Sequence, residues 1–229
     1  MKTVVVLTGA GMSAESGIST FRDSNGLWCN HRIEEVASPI AWANTPELVM
    51  EFYNLRRKQL FEVEPNTGHR ALLDLENNFD THIITQNVDD LHERAGSQNV
   101  LHLHGELKKV RSTIDENLIY EMDQWELKFG DKCEKGSQLR PHIVWFGEAV
   151  PMIEKAINIV STADILIVIG TSMVVYPAAS LINYVKTDIP KYYIDPNAFD
   201  IGGINNLNII KEDASLGVPI LVRTLISES

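Results

Sequence analysis

Short runs of β-branched and aliphatic residues recur along this chain, most of them ending in glycine or polar residues. They are Thr3–Leu7, Thr81–Thr85, Asn99–Leu103, His142–Phe146, Asp164–Ile169, Lys191–Ile194 and Leu207–Ile210. Continuous apolar runs of this length fit strands covered on both faces, as in parallel sheets, whereas half-exposed strands alternate. Helical patterns lie between most of them: Pro46–Phe61, with Thr45 as N-cap and Pro46 at the first helical position, then Gly68–Asn77, Met152–Thr162 and Pro177–Val185. The alternation predicts an α/β fold, a parallel sheet with helices on both faces.

Two stretches break the rhythm. Residues 23–66 hold helices and turns but no strand pattern, and residues 106–140 are polar, charged and of little periodicity. Both are too long for ordinary βα loops. They predict two insertions that together form a smaller lobe of about 23–66 and 106–140, set over a larger lobe of about 1–22, 67–105 and 141–229. With 229 residues, 44% of them hydrophobic, one large domain has enough apolar material for a core.

Charge narrows the partners. A net charge of −11 argues against a nonspecific nucleic-acid binder and against docking on anionic lipid, so an anionic ligand has to be met by local donors. No apolar stretch approaches the roughly 20 residues that span a bilayer, and no signal-peptide h-region is visible, so a cytoplasmic location is expected. Cys29 and Cys133 alone make neither a disulfide framework nor a four-cysteine zinc site.

The first strand runs directly into Gly9-Ala10-Gly11-Met12-Ser13-Ala14, which fits the glycine-rich turn of dinucleotide sites. Glycine there permits a tight turn, and the next helix points free N–H groups at a pyrophosphate. A hydride-transfer enzyme also needs an acid about 20 positions on, at the end of a second strand. Glu34 and Glu35 stand at that distance but in the strandless stretch, and the next strand waits until Thr81. The loop passes this test; the dehydrogenase reading does not.

The wider loop, Gly9 through Glu15-Ser16-Gly17-Ile18-Ser19-Thr20-Phe21-Arg22 and on to Gly26-Leu27-Trp28, resembles the cofactor signature of the sirtuins, the NAD-dependent protein lysine deacylases. Further blocks follow in the family's order: Thr85-Gln86-Asn87-Val88-Asp89, His104-Gly105, Phe146-Gly147-Glu148, and Gly170-Thr171-Ser172-Met173-Val174-Val175-Tyr176-Pro177. Ser19 departs from the proline usual in the family. The resemblance implies a Rossmann-like large lobe, NAD as cofactor and acyl-lysine proteins or peptides as substrates. It implies transfer of the acyl group to ADP-ribose with release of nicotinamide. The transition state resembles an oxocarbenium ion, so positioning and electrostatics dominate. An NAD or ADP-ribose sensor without turnover and a protein ADP-ribosyltransferase are the rival readings.

Residue by residue, the resemblance makes His104 the general base, and a neutral imidazole near its ordinary pKa of about 6.5 suits that step. His102 shares its strand face and is read as structural. Asn87 orients the ribose and a reactive water, Gln86 contacts the ribose, and Asp89 holds the nicotinamide carboxamide; Asp89-Asp90 also reads as a helix start. Gly9, Ala10, Gly11, Glu15, Thr20, Phe21, Arg22 and Trp28 belong to the cofactor loop, with Phe21 shielding the reacting face. Gly170, Thr171 and Ser172 suit phosphate or ribose oxygens, Asp195, Pro196 and Asn197 the adenosine ribose, and Ala214 the adenine side. Phe146, Gly147, Glu148 and Val174 border the peptide.

Two departures refine the expectation. Tyr53 and Arg56, three apart on one helix, resemble the segment of the subclass that removes succinyl, malonyl and glutaryl groups, and Ala37 matches the small residue that widens its acyl pocket. A guanidinium fork binds a carboxylate bidentately. Where most sirtuins carry two Cys-x-x-Cys pairs for zinc, residues 106–140 hold only Cys133, so no metal is expected and packing by residues such as Ile114, Leu118, Tyr120, Trp125 and Phe129 is expected to hold that module.

Overall fold

The computed structural model describes residues 1–19, 31–173, 175–199 and 202–228. In chain order its strands are β1 (Thr3–Thr8), β2 (Asp80–Thr85), β3 (Val100–His102), β4 (Gly105–Ser112), β5 (Ile119–Glu121), β6 (Leu139–Ile143), β7 (Ile165–Ile169), β8 (Lys191–Ile194) and β9 (Leu207–Ile210). The helices are α1 (Gly11–Ala14), α2 (Ile33–Val36), α3 (Pro39–Asn44), α4 (Pro46–Glu62), α5 (Thr67–Glu76), α6 (Leu91–Ala95), α7 (Ile153–Thr162) and α8 (Ala214–Ser227), with a 3₁₀ helix at Ala178–Tyr184.

Six strands form one parallel sheet in the order β3-β2-β1-β7-β8-β9. Successive side chains of a strand face opposite ways, and here both faces are covered. Val4, Val6, Ile83, Ile167 and Ile169 meet α5 and α8 on one side; Val5, Leu7, Ile84, Leu166 and Val168 meet α7 and the 3₁₀ helix on the other. That double covering is why the strands read as unbroken apolar runs.

The α7 stripe also reads directly from sequence: Ile153, Ala156, Ile157 and Val160 recur at helical spacing and face the sheet. The Pro177–Val185 pattern is instead a 3₁₀ helix. α8 had no sequence signal, because Gly217 and Pro219 look like breakers. Both are accommodated by packing. A Cβ on Gly217 would lie 2.6 Å from the Ile194 side chain, so glycine lets the helix approach β8. Pro219 cannot donate to the Ser215 carbonyl four residues back, and the Thr67 hydroxyl donates to that oxygen at 2.7 Å.

The second sheet is antiparallel, in the order β5-β4-β6. The expectation of a buried parallel strand at His142–Phe146 is therefore corrected: the strand is Leu139–Ile143, and it pairs with β4. Pro141 is tolerated because β6 lies at an edge. The low periodicity of residues 106–140 also has a cause. β4 buries Leu107, Val110 and Ser112, and an irregularity in its register with β6 between Gly105 and Val110 breaks the two-residue period.

α4 closes over this sheet. Arg57, which reads as part of a solvated basic face, is fully buried; it donates to the Leu107 carbonyl, to Asn54 Oδ1 at 2.9 Å and to the Trp125 carbonyl at 2.8 Å. Asn54 in turn exchanges bonds with the Leu127 backbone, both at 2.9 Å.

Gly105 joins β3 to the second sheet with φ +80°, and a Cβ there would sit 2.0 Å from the His142 carbonyl oxygen. Gly130 has φ +97° with nothing within 4 Å of its Cβ direction. Alanine at positive φ alone costs about 1–2 kcal/mol. Gly130→Ala is expected to lose about that much in urea unfolding and Gly105→Ala clearly more; equal losses would refute the steric account.

Candidate active site

Strand order in the large parallel sheet reverses between β1 and β7: β2 and β3 lie to one side of β1, and β8 and β9 lie beyond β7. Open α/β sheets bind ligands beyond the carboxyl ends of the strands at such a switch point. Here the loops after β1 and β7 touch backbone to backbone. Gly9 N–H donates to the Ile169 carbonyl at 3.0 Å and Gly11 N–H to the Gly170 carbonyl at 2.8 Å. Gly170 has φ +60°, and a Cβ on it would lie 2.4 Å from Met12 N. The glycines are thus required by the crossing of two loops.

One detail differs from expectation. The Met12 and Ser13 N–H groups donate to the Gly9 and Ala10 carbonyls at 2.9 and 3.1 Å, so with Gly11 the first N–H groups of α1 have partners within the fold. The helix is only one turn long and tightens into i→i−3 bonds, which the motif could not reveal.

The segment after β2 reaches across this crossing. Gln86 Nε2 donates to Thr171 Oγ1 at 3.2 Å, while Asn87 Nδ2 donates to the Gly9 carbonyl at 3.0 Å and to Ser13 Oγ at 3.1 Å. Asp89 is buried; it accepts from Leu91 N–H at 3.2 Å and bonds Ser13, while burial pushes its carboxyl above the usual range. It therefore does act at the start of α6.

His104 follows β3 at the same edge. Its Nδ1 lies 3.1 Å from the Gln86 carbonyl oxygen. That oxygen can only accept, so Nδ1 carries the proton and Nε2 is left with a lone pair. Burial holds the imidazole below its ordinary pKa. His102 uses both ring nitrogens, on the Asn87 carbonyl at 3.0 Å and Glu93 Oε1 at 2.8 Å.

The remaining expected residues divide. Thr171 is buried, receiving Gln86 and Met173 N–H at its hydroxyl and Tyr193 Oη at its carbonyl. Ser172 is half-buried beside it. Asp195 is buried, with Oδ1 accepting from Asn197 N–H at 2.8 Å, and Pro196 and Asn197 are exposed. Ala214 is buried at the start of α8. Glu15 does not face the crevice as a free carboxylate: it accepts from the Ser215 N–H at 2.8 Å and from the Ser215 hydroxyl. Unpaired N–H groups at a helix start attract a carboxylate, and α8 was not foreseen. Thr20, Phe21, Arg22, Trp28 and Val174 lie outside the described residues.

A second cluster joins α4 to the segment after β6. Trp145 Nε1 donates to Tyr53 Oη at 3.1 Å, the Arg140 guanidinium stacks 3.4 Å above the Trp145 ring, and Phe146 N–H donates to the Ala37 carbonyl at 3.0 Å. Tyr53 is fully buried, and burial raises its phenol above the ordinary value. Glu148 turns inward: its carboxylate takes Arg140 at 2.9 Å, Arg111 at 3.3 Å and Trp145 N–H at 2.8 Å, so the side chain is committed within the fold. Gly147, at φ +92°, has open space around it.

Arg56 is 8% exposed and lies 5.7 Å from the Phe52 ring centre. Both line a cavity of about 470 Å³ with His31, Leu48, Glu51, Leu55 and Gln59; Tyr53 is not among the lining residues. Sequence reasoning missed Ser13, Trp145 and Glu93; the first two sit in or beside motifs it had marked, but Glu93 carried no signal.

Among the described residues no cluster of three or more His, Cys, Asp or Glu could hold a metal ion, and no helix is long and apolar enough to cross a membrane. Cys133 is buried, its sulfur 3.4 Å from Ser112 Oγ and 3.1 Å from Ser137 Oγ.

Comparison with known proteins bears on this geometry. A model of the Sir2 family matches residues 9–177. A Helicobacter pylori protein named NAD-dependent protein deacylase is 55% identical over 226 residues, covering 99% of this chain and 98% of its own. One of the same name from Bacteroides thetaiotaomicron is 54% identical over 231 residues, covering 99% of each. The crystal structure of a Sir2 homolog–NAD complex superposes with a TM-score of 0.89 at 44% identity, covering 99% of this chain and 90% of that one.

Buried histidines predict the acid behaviour. Burial lowers His69 and His142 to about 4 and also lowers His92 well below its ordinary value, while Glu93 raises His102 against the opposing effect of burial. A group that stays neutral when folded but binds a proton when unfolded costs stability as pH falls from about 6.5 towards its folded value, by up to about 1.4 kcal/mol per pH unit. His102 works in the opposite sense. Urea midpoints are expected to fall from pH 7 to pH 4, and His69→Gln, which keeps an acceptor for Asn66 N–H, should flatten the slope by close to one proton between pH 6 and 5. An unaltered slope would contradict this.

Proposed function

The chain belongs to the Sir2 family and is an NAD-dependent protein deacylase; from that premise we propose that His104 is its general base and that acidic acyl groups on lysine are its preferred substrates. The observation that carries the first part is that, among the described residues, the His104 ring is tied only to the Gln86 carbonyl, which leaves Nε2 as an acceptor at the crevice edge.

The residues there fit NAD. The switch point gathers the carboxamides of Gln86 and Asn87 and the hydroxyls of Thr171 and Ser172, neutral groups that meet a dinucleotide without adding to a net charge of −11. NAD, when bound, supplies the ribose that receives the acyl group as nicotinamide leaves. His104 draws a hydroxyl proton onto Nε2, and its lowered pKa keeps that nitrogen free at neutral pH. Gln86 holds the ring in the correct tautomer through its carbonyl. Asn87 is oriented by Gly9 and Ser13, and Asp89, shielded from water, is suited to a carboxamide. The products are free lysine, nicotinamide and O-acyl-ADP-ribose.

For the acyl group, the supporting observation is Arg56 lining a cavity with Phe52 against it. In such a site a guanidinium is weakly hydrated and can pair with an acyl carboxylate. Tyr53 is buried on the same helix with its oxygen held by Trp145, and neither it nor Ala37 is among the residues lining the cavity. Glu51 on the same cavity opposes an anion, so the preference is a balance that Arg56 decides.

Two measurements test these assignments. His104→Ala is expected to lower both nicotinamide release and lysine deacylation at least about 100-fold; undiminished rates would refute the base. On matched succinyl and acetyl peptides, Arg56→Met is expected to lower the succinyl-to-acetyl ratio of kcat/KM by about 10-fold or more, the scale of a lost charge-assisted bond. An unchanged ratio would overturn the acyl preference and leave the deacylase intact.

A further inference from the structure

His102 and His104 lie two residues apart at the end of one strand, yet the fold gives their rings different tasks. Each Nδ1 meets one of two successive carbonyls of the loop after β2: His104 that of Gln86 at 3.1 Å, His102 that of Asn87 at 3.0 Å. Beyond this the two differ. His104 has its other nitrogen free for the crevice, whereas His102 Nε2 lies 2.8 Å from Glu93 Oε1 on α6. A carbonyl and a carboxylate are both acceptors, so both His102 nitrogens must carry protons and the ring is an imidazolium. Its side chain is 7% exposed.

We propose that His102 is a positioning residue of the deacylase reaction: an imidazolium braced by Glu93 that pins the Asn87 carbonyl and so fixes the loop bearing Gln86, Asn87 and Asp89. The inference rests on the reading of His104 as base, since Gln86 in that same loop sets the His104 tautomer. Asn87 is thereby fixed at both ends, its carbonyl by His102 and its amide by Gly9 and Ser13. Loss of one His102 proton turns a lone pair towards either Asn87 O or Glu93, and one of the two ties breaks.

Its charged surroundings favour the cation. Glu93 on α6, Asp89 in the pinned loop and Glu106 on β4 face it as acids; His92 on α6 opposes it, and Lys109 is paired with Glu106 and Glu121. The same groups hold its pKa above the ordinary value while burial holds that of His104 below. The two histidines of one strand end therefore work in opposite charge states, and activity should be bounded by His104 on the acid side and His102 on the basic side.

The test is the pH profile of kcat/KM for NAD, read as nicotinamide release with saturating acyl peptide between about pH 5.5 and 9.5. Glu93→Gln is expected to move the basic limb to lower pH by about one unit, a tenfold change at a fixed pH on that limb. His102→Gln, which can still donate to Asn87 O but cannot titrate, is expected to abolish that limb. A role confined to packing moves neither. An unmoved limb in Glu93→Gln overturns the proposal, and this arm stands if His102→Gln fails to fold, because Glu93 is 39% exposed. His104→Ala separates the two readings. A dead His104→Ala beside an unmoved Glu93→Gln limb removes His102 alone; an active His104→Ala beside a moved limb removes the base and leaves His102.

Discussion

Where the loops after β1 and β7 cross, backbone presses on backbone with no side chain between, and the rest of the site depends on that contact. Gly9 and Gly11 donate to Ile169 and Gly170, and the Gly170 N–H continues to the Ile194 carbonyl, so three strand ends are laced together beyond the sheet. The crossing fixes the Gly9 carbonyl, which orients Asn87, and sets Thr171 where Gln86 can reach it. A side chain at Gly11 or Gly170 would push the loops apart by more than any rotamer change could absorb.

A second constraint joins the two sheets. The segment after β6 leaves the antiparallel sheet and runs past the junction of β3 and β4, with Val144 N–H donating to the His104 carbonyl and Phe146 N–H to that of Ala37. Trp145, between them, is clamped by Arg140 on its face and gives its indole N–H to Tyr53. Buried cations secure the arrangement: Arg140 is paired with Glu148, and Arg57 donates to carbonyls drawn from β4 and from Trp125. Such groups are costly to bury alone, and these partners offset part of that cost, although Arg57 Nη2 and Arg140 Nε have no hydrogen-bond partner among the described residues. His104 and the α4 segment are thus linked through a few backbone bonds.

Much of this was legible because the relevant signals are local. Unbroken apolar runs announced a sheet covered on both faces, and strand-end glycines announced close approach. What escaped depended on partners distant in sequence. α8 was hidden because its glycine and proline are excused only by Ile194 and Thr67. β6 was misjudged because Ile143-Val144-Trp145 has the composition of a buried strand, whereas its pairing is set by β4. Glu15 was assigned to the cofactor on the strength of its motif, and the start of α8, 200 residues away, takes its carboxylate. Arg57 looked solvated because burial of a guanidinium needs acceptors that no helical pattern displays.

The sequence by itself determined the kind of sheet, the ends of most of its strands, the loop that two glycines make possible, and the ordered blocks that mark the family; these follow from hydrophobic period and residue chemistry, which are properties of short segments. Only the tertiary structure decided which acceptors meet each of the two histidines. Both have the same side chain and nearly the same place, and the difference is that a carboxylate on α6 meets one ring while the other has a single carbonyl. Charge state in a buried site is set by the nearest acceptors and the loss of water, and those come from chain segments that sequence order does not bring together.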